Sequence, residues 1–200
     1  MKYTNVVFVS DTHCGSPYGL DLKPKTPLQH NLLSAFKDAL AWAGKPDILI
    51  GAGDYTHGLS EWDHETSPGM GQMPEQVELA AKVLRRFRAK EYLLTSGTPV
   101  HEGGGLITAS KLVAMNLAES GARVQFHRRL RLRVNNWFRI TVRHKIGSSK
   151  VPWGRFTGPK RFATWQVLHE ALASARDGTK PEWPHLCAFG HVHHYTYTED

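Results

Sequence analysis

Two stretches decide the fold: "NVVFVSD" (residues 5–11) and "PDILIGAGD" (46–54). Each is a short run of β-branched and apolar residues that ends in an aspartate. Apolar runs of this length read as buried strands, the kind found inside parallel sheets. Between them, residues 28–43 place apolar groups at Leu32, Leu33, Phe36, Ala39, Leu40 and Ala43, which is helical spacing. A loop with Gly, Pro and Met follows to about residue 73. "PEQVELAAKVLRRFRA" (74–89), with Pro74 near its start, predicts a helix. "EYLLTS" (91–96) predicts a third strand, and 105–120 a third helix ending at Gly121. A βαβαβα order implies a parallel sheet with helical crossovers.

The pattern then changes. "RLRLRV" (129–134) and "FRITVR" (138–143) alternate strictly and are joined by "NNW", a β-hairpin signal. A Gly/Pro/aromatic segment fills 147–160, a helix is expected over 161–176, and "HLCAFGHVHH" and "YTYT" come last. The expectation is a mixed α/β fold of stacked layers, in one domain spanning residues 1–200.

Composition narrows the class. The 40% hydrophobic and 22% charged residues are ordinary for a globular protein. No apolar run approaches the ~20 residues needed to cross a membrane, and no membrane partner is expected. "MKYTNVVFVSD" lacks the features of a secretory signal, and Cys14 and Cys187 are the only cysteines. The expected location is therefore cytoplasmic. A net charge of +7 favours an anionic partner. Twelve histidines are the clearer anomaly, and their positions carry the functional reading.

Five expected strand ends carry metal-ligand chemistry: Asp11-Thr12-His13, Gly53-Asp54, Gly97 to Glu102, His144, and Gly190-His191-Val192-His193. In extended chain, residues two apart point the same way, so Asp11 with His13, and His191 with His193, can each aim two groups at one point. Carboxylate and imidazole donors without thiolate suit Mn, Fe, Zn or Ni. Any one piece alone reads as an ordinary turn or a satisfied histidine. Their order along the chain, each at the end of its strand, favours a metal site.

That ordered set, "DTH" (11–13), "GDYTH" (53–57), "GTPVHE" (97–102), "RHKIG" (143–147) and "GHVH" (190–193), resembles the calcineurin-like metallophosphoesterase superfamily. The resemblance implies a four-layer α/β/β/α sandwich with mixed sheets and two divalent metal ions, with Mn favoured. It implies that Asp11, His13 and His193 hold one metal, that His144 and His191 hold the second, and that Asp54 bridges both. His101, oriented by Glu102, would be the catalytic group near the leaving oxygen. His57 matches the optional last position of the second motif, as a candidate to face substrate. The third motif departs from the family pattern. Thr98 stands where the family has a metal-binding Asn, and Pro99 and Val100 are inserted before His101. Thr98 is the candidate substitute ligand.

The implied activity is hydrolysis of a phosphoester by a hydroxide generated between two metals. A basic ribbon bears on the substrate. Arg129, Arg131 and Arg133 alternate on one strand, Arg143 leads to His144, and Arg155 lies on the aromatic-rich segment that follows. Such groups serve a single-strand binder, so a phosphodiester, a nucleotide or a nucleic acid, is preferred to a monoester. The same arginines also read as a solvated sheet face. Two further readings stand beside the hydrolase: a non-catalytic scaffold with a degenerate site, and a nucleic-acid-binding module with structural metals. His101 and Glu102 are of no use to a scaffold, which favours the hydrolase.

Overall fold

The computed structural model describes residues 4–58, 72–103, 107–145 and 157–190. Strands β1 (Val6–Val9), β2 (Ile48–Gly51), β3 (Glu91–Thr95) and β4 (Val124–His127) form one parallel sheet in the order β1-β2-β3-β4. Parallel neighbours cannot be joined by a tight turn. Helices α1 (Pro27–Ala43), α2 (Met73–Arg85) and α4 (Ala109–Glu119) fill the three crossovers, and a single turn, α3 (Pro99–Glu102), precedes α4. Pro27 opens α1, where its missing N–H costs nothing, and the Thr26 side chain accepts from the Gln29 N–H.

The second sheet contains β5 (Leu130–Val134), β6 (Phe138–Arg143) and β7 (Leu186–Phe189), in that order. β5 and β6 are antiparallel, and β6 and β7 are parallel. The hairpin turns at Asn135 and Asn136, whose φ values of 50° and 64° are left-handed. Asparagine tolerates that region better than most residues. Helix α5 (Thr157–Asp177) connects toward β7.

Alternation along the strands builds two cores. Leu49, Tyr92 and Leu94 pack with Val77, Ala80 and Leu84 of α2 and with Val113 and Leu117 of α4. Their neighbours Ile50 and Leu93 point the other way, into a second cluster with Leu130, Val134, Ile140 and Val142. The parallel sheet therefore carries helices on one face and touches the second sheet with the other. Mixed α/β architecture, with one parallel and one mixed sheet, is what the sequence pattern led us to expect.

Some elements differ from that reading. The sequence pattern did not disclose β4, because four residues, "VQFH", are too few to show a period. It forms by pairing with β3, from Tyr92↔Val124 to Thr95↔His127. The helix expected from 105 begins at Ala109, where the Thr108 side chain accepts from the Lys111 N–H. Helix α5 begins at Thr157 rather than 161.

Leu94 is fully buried, whereas Trp42 is 87% exposed. Leu94→Ala should cost about 2–5 kcal/mol through lost transfer energy and the cavity left behind. Trp42→Ala should stay within about 0.5 kcal/mol. Urea denaturation of both variants checks the assignment, and equal losses would contradict this core.

Candidate metal centre

The loops after β1 and β2 run side by side. The N–H groups of Asp11, His13 and Cys14 donate to the carbonyls of Gly53, Asp54 and Tyr55 at 3.1, 3.1 and 2.9 Å. The Thr12 hydroxyl also donates to the Tyr55 carbonyl, at 2.9 Å. This ladder continues past the strands and fixes Asp11, His13 and Asp54 relative to one another. All three have left-handed backbone, with φ of 56°, 42° and 51°. Among the described residues only six non-glycine residues have positive φ, and these are half of them. Such conformations are held only where the surroundings enforce them, and they gather at functional sites.

Asp54 is the centre of the cluster. It is only 1% exposed. The Thr98 N–H donates to its Oδ1 at 2.6 Å, and the Thr98 hydroxyl lies 3.1 Å from both oxygens. His144 Nε2 stands 2.7 Å from Oδ2, and His101 Nε2 stands 3.8 Å from it. Gly97 permits this, since a Cβ there would run into the Asp54 carboxylate and its backbone nitrogen. His144 donates from Nδ1 to the Ala52 carbonyl at 2.6 Å, which aims Nε2 at Asp54.

These contacts set the protonation states. Burial pushes the Asp54 carboxyl up, but the His144 hydrogen bond and charge, the Thr98 N–H and the His101 charge outweigh it. The group ends below its ordinary value. Burial pushes His144 down, and its bond to Asp54 with the charges of Asp54 and Asp11 more than reverses this, so its pKa lies above the ordinary value.

Among the described residues, two groups of side chains could each hold a metal ion: Asp11, His13 and Asp54, and His13, His57 and His101. Within each, one donor atom per residue lies within 4.8 Å of the others. His13 and His101 meet edge to face with ring centroids 4.6 Å apart, and His57 lies 5.5 Å from His101. The donors are carboxylate and imidazole, as expected for a borderline divalent cation.

The structure thus brings together Asp11, His13, Asp54, His57, Thr98, His101 and His144. Glu102 is close in sequence but faces elsewhere. Its carboxylate accepts from the Gly97 N–H, the Ser110 hydroxyl and the Ser110 N–H, the last at 2.9 Å. The group that orients His101 is the His57 carbonyl, which accepts from its Nδ1. Glu102 instead ties the loop after β3 to the first turn of α4. Arg131 and Arg133 lie on the outer face of the second sheet, paired with Glu170 and Glu182. Arg143 ends β6 directly before His144, and the register of β5 on β6 sets Arg129 opposite Arg143. His191, His193 and Arg155 fall outside the described residues.

Sequence reasoning missed Gln76. It is fully buried on α2, accepts from the N–H groups of His57 and Gly58 at 3.0 Å, and donates to the Gly58 carbonyl. A glutamine beside Val77 on an apolar helix face was the available signal. Cys14 is fully buried, and burial pushes its thiol up to about 12, so it remains protonated and inert.

Compared with known proteins, the chain matches no family model and no curated protein.

The Asp54–His144 pair sets a pH signature for the metal-free protein. A lowered Asp54 pKa gives stability that is present above the ordinary 3.8 and lost as pH falls through the folded value. A raised His144 pKa gives stability that is present below the ordinary 6.5 and lost as pH rises through the folded value. In chelator, the stability gap between wild type and Asp54→Asn should be widest between those two pH values and narrow on either side. Urea titrations across pH measure it, and a flat gap would refute the ion pair.

Proposed function

We propose that the chain is a metal-dependent phosphoesterase. The observation that carries this reading is the left-handed backbone shared by Asp11, His13 and Asp54 at the ends of adjacent parallel strands. Strain at three converging donors has a use in ligation and none in packing. The motif order that resembles the calcineurin-like superfamily supports it further, as does the contact between the two sheets, which fits a four-layer sandwich.

In this reading Asp11, His13 and Asp54 hold one divalent ion, and Asp54 with His144 contributes to a second. His191 and His193 complete the set. Manganese is the first choice, and Fe, Zn or Ni suits the same donors. Such ions, when bound, supply a water of lowered pKa and positive charge for phosphate oxygens. The chain's own residues do the rest. Thr98 and His144 hold the Asp54 carboxylate in place. The His57 carbonyl fixes the Nδ1 proton of His101, so that its Nε2 faces the cluster. When Nε2 carries a second proton, it gives that proton to the departing ester oxygen and returns to the neutral ring protonated at Nδ1. Glu102 anchors the loop that carries His101. A phosphodiester is preferred to a monoester.

Manganese-loaded protein should hydrolyse a phosphodiester, and Asp54→Asn should lose both turnover and bound metal. His101→Ala should cut turnover of an alkyl ester by roughly 10²–10⁴-fold, the usual worth of general acid catalysis. It should cut a nitrophenyl ester far less, since nitrophenolate departs without a proton, and metal content should persist. Steady-state assays with metal analysis decide the matter. No turnover by wild type with Mn, Fe, Zn or Ni would sink the proposal.

A further inference from the structure

The alternating arginines of β5 and β6 read as one basic ribbon in the sequence, and the structure divides them into two sets. On the outer face of the second sheet, Arg131 donates to Glu170 at 2.8 Å and to Gln166 at 3.1 Å. Arg133 is paired with Glu182, and Arg139 donates from Nε to the Trp183 carbonyl at 2.6 Å. These residues line a cleft of about 230 Å³ between the sheet, α5 and the segment before β7. Their charges are already answered by the protein.

Arg129 and Arg143 are different. The register Leu130↔Val142 places them opposite each other at the end of the hairpin. Among the described residues, no carboxylate pairs with either. Arg143 is held in place by an aromatic support: its guanidinium carbon lies 5.4 Å from the Phe162 ring centre, and Phe162 packs edge-on against Phe189. Arg128 and Lys145 flank the pair in sequence.

The strand end that carries the pair stands beside the metal cluster, although alternation sets the Arg143 side chain on the α5 face, with Arg131 and Arg139, while His144 faces Asp54. Arg143 directly precedes His144, and its partner in the sheet, Phe189, directly precedes Gly190. A Cβ on Gly190 would come within 2.7 Å of His144 Nδ1 and 2.9 Å of Asp11 Oδ2. The ends of β6 and β7 therefore abut the candidate centre.

We propose that Arg129 and Arg143 form a subsite for a second phosphate of the substrate, which makes that substrate an extended polyphosphate or phosphodiester chain rather than a single-phosphate ester. This rests on the phosphoesterase reading for the scissile phosphate. Two adjacent guanidinium groups repel each other until an anion joins them, and the guanidinium fork matches phosphate oxygens. Farther along the same face, Arg131 and Arg133 contribute little, because Glu170 and Glu182 already neutralise them.

The test compares Arg129→Gln/Arg143→Gln with Arg131→Gln/Arg133→Gln, each shown to be folded by circular dichroism. Binding of a fluorescein-labelled oligothymidylate to metal-free protein is followed against salt, with inorganic polyphosphate as competitor to separate a nucleotide chain from phosphate alone. The first variant should weaken binding about tenfold or more. Its log–log salt slope should fall by about 0.7 per lost contact. The second variant should do much less. With Mn-loaded protein, KM should rise far more for the oligonucleotide than for a nitrophenyl diester. Equal effects of the two variants, or equal KM changes for long and short substrates, overturn the subsite. Oligonucleotide binding lost in the first variant, with no turnover by wild type, keeps the subsite and removes the hydrolase. Turnover of the small ester, with oligonucleotide affinity indifferent to the first variant, does the reverse.

Discussion

A carboxylate that is 1% exposed is the constraint on which the rest of this structure depends. A buried charge without partners costs several kcal/mol, so Asp54 must be surrounded by donors. Those donors come from separate parts of the chain. Thr98 follows β3, His144 follows β6, and Asp54 itself follows β2. Satisfying one carboxylate thus requires the parallel sheet and the second sheet to meet at the same edge. The apolar cluster of Ile50, Leu93, Ile140 and Val142 brings the sheets together without direction. The Asp54 contacts add the direction, since hydrogen bonds weaken steeply with misalignment.

The same constraint explains the backbone. Asp11, His13 and Asp54 leave the extended region just beyond their strands, which turns their side chains toward one another. Left-handed conformations at such residues are unfavourable, and a lattice of main-chain bonds between two adjacent loops holds them there. Gln76 braces the far end of the second loop from α2, and the Thr56 hydroxyl donates to the His101 carbonyl at 2.9 Å. Strain, lattice and brace form one unit. This is why a helix face and a strand-end motif far apart in sequence depend on each other.

Much of this was legible in the sequence, for physical reasons. β2 and β3 are buried on both faces, and β1, at the sheet edge with Phe8 exposed, is apolar throughout, so the three runs stand out, and the Asp and His residues that follow them are out of place for packing. β4 was not legible, because its identity comes from pairing with β3. The orienting group of His101 was not legible either. A carbonyl has no side-chain signature, and Glu102, adjacent in sequence, offered itself as the partner. The arginine alternation gave the hairpin correctly. It could not separate Arg131 and Arg133 from Arg129 and Arg143, because the glutamates that neutralise the first pair lie in α5 and before β7.

The loop from Gly97 to Glu102 is where structure adds most to the sequence. Pro99 and Val100, between Thr98 and His101, would in extended chain carry the histidine away from Asp54. Here Pro99 and Val100 open a single helical turn, with the His101 N–H donating to the Thr98 carbonyl at 3.0 Å. Pro99 suits the first helical position, since its fixed φ is already helical. The turn takes up these two residues and leaves His101 Nε2 3.8 Å from the Asp54 carboxylate. Thr98 in turn faces Asp54 with both its N–H and its hydroxyl, and so acts as a donor to the carboxylate. An asparagine at that position would offer a carbonyl oxygen outward to a cation. A threonine whose only hydroxyl proton is directed at Asp54 still has oxygen lone pairs to offer, but its first service is to the anion that the cluster is built around.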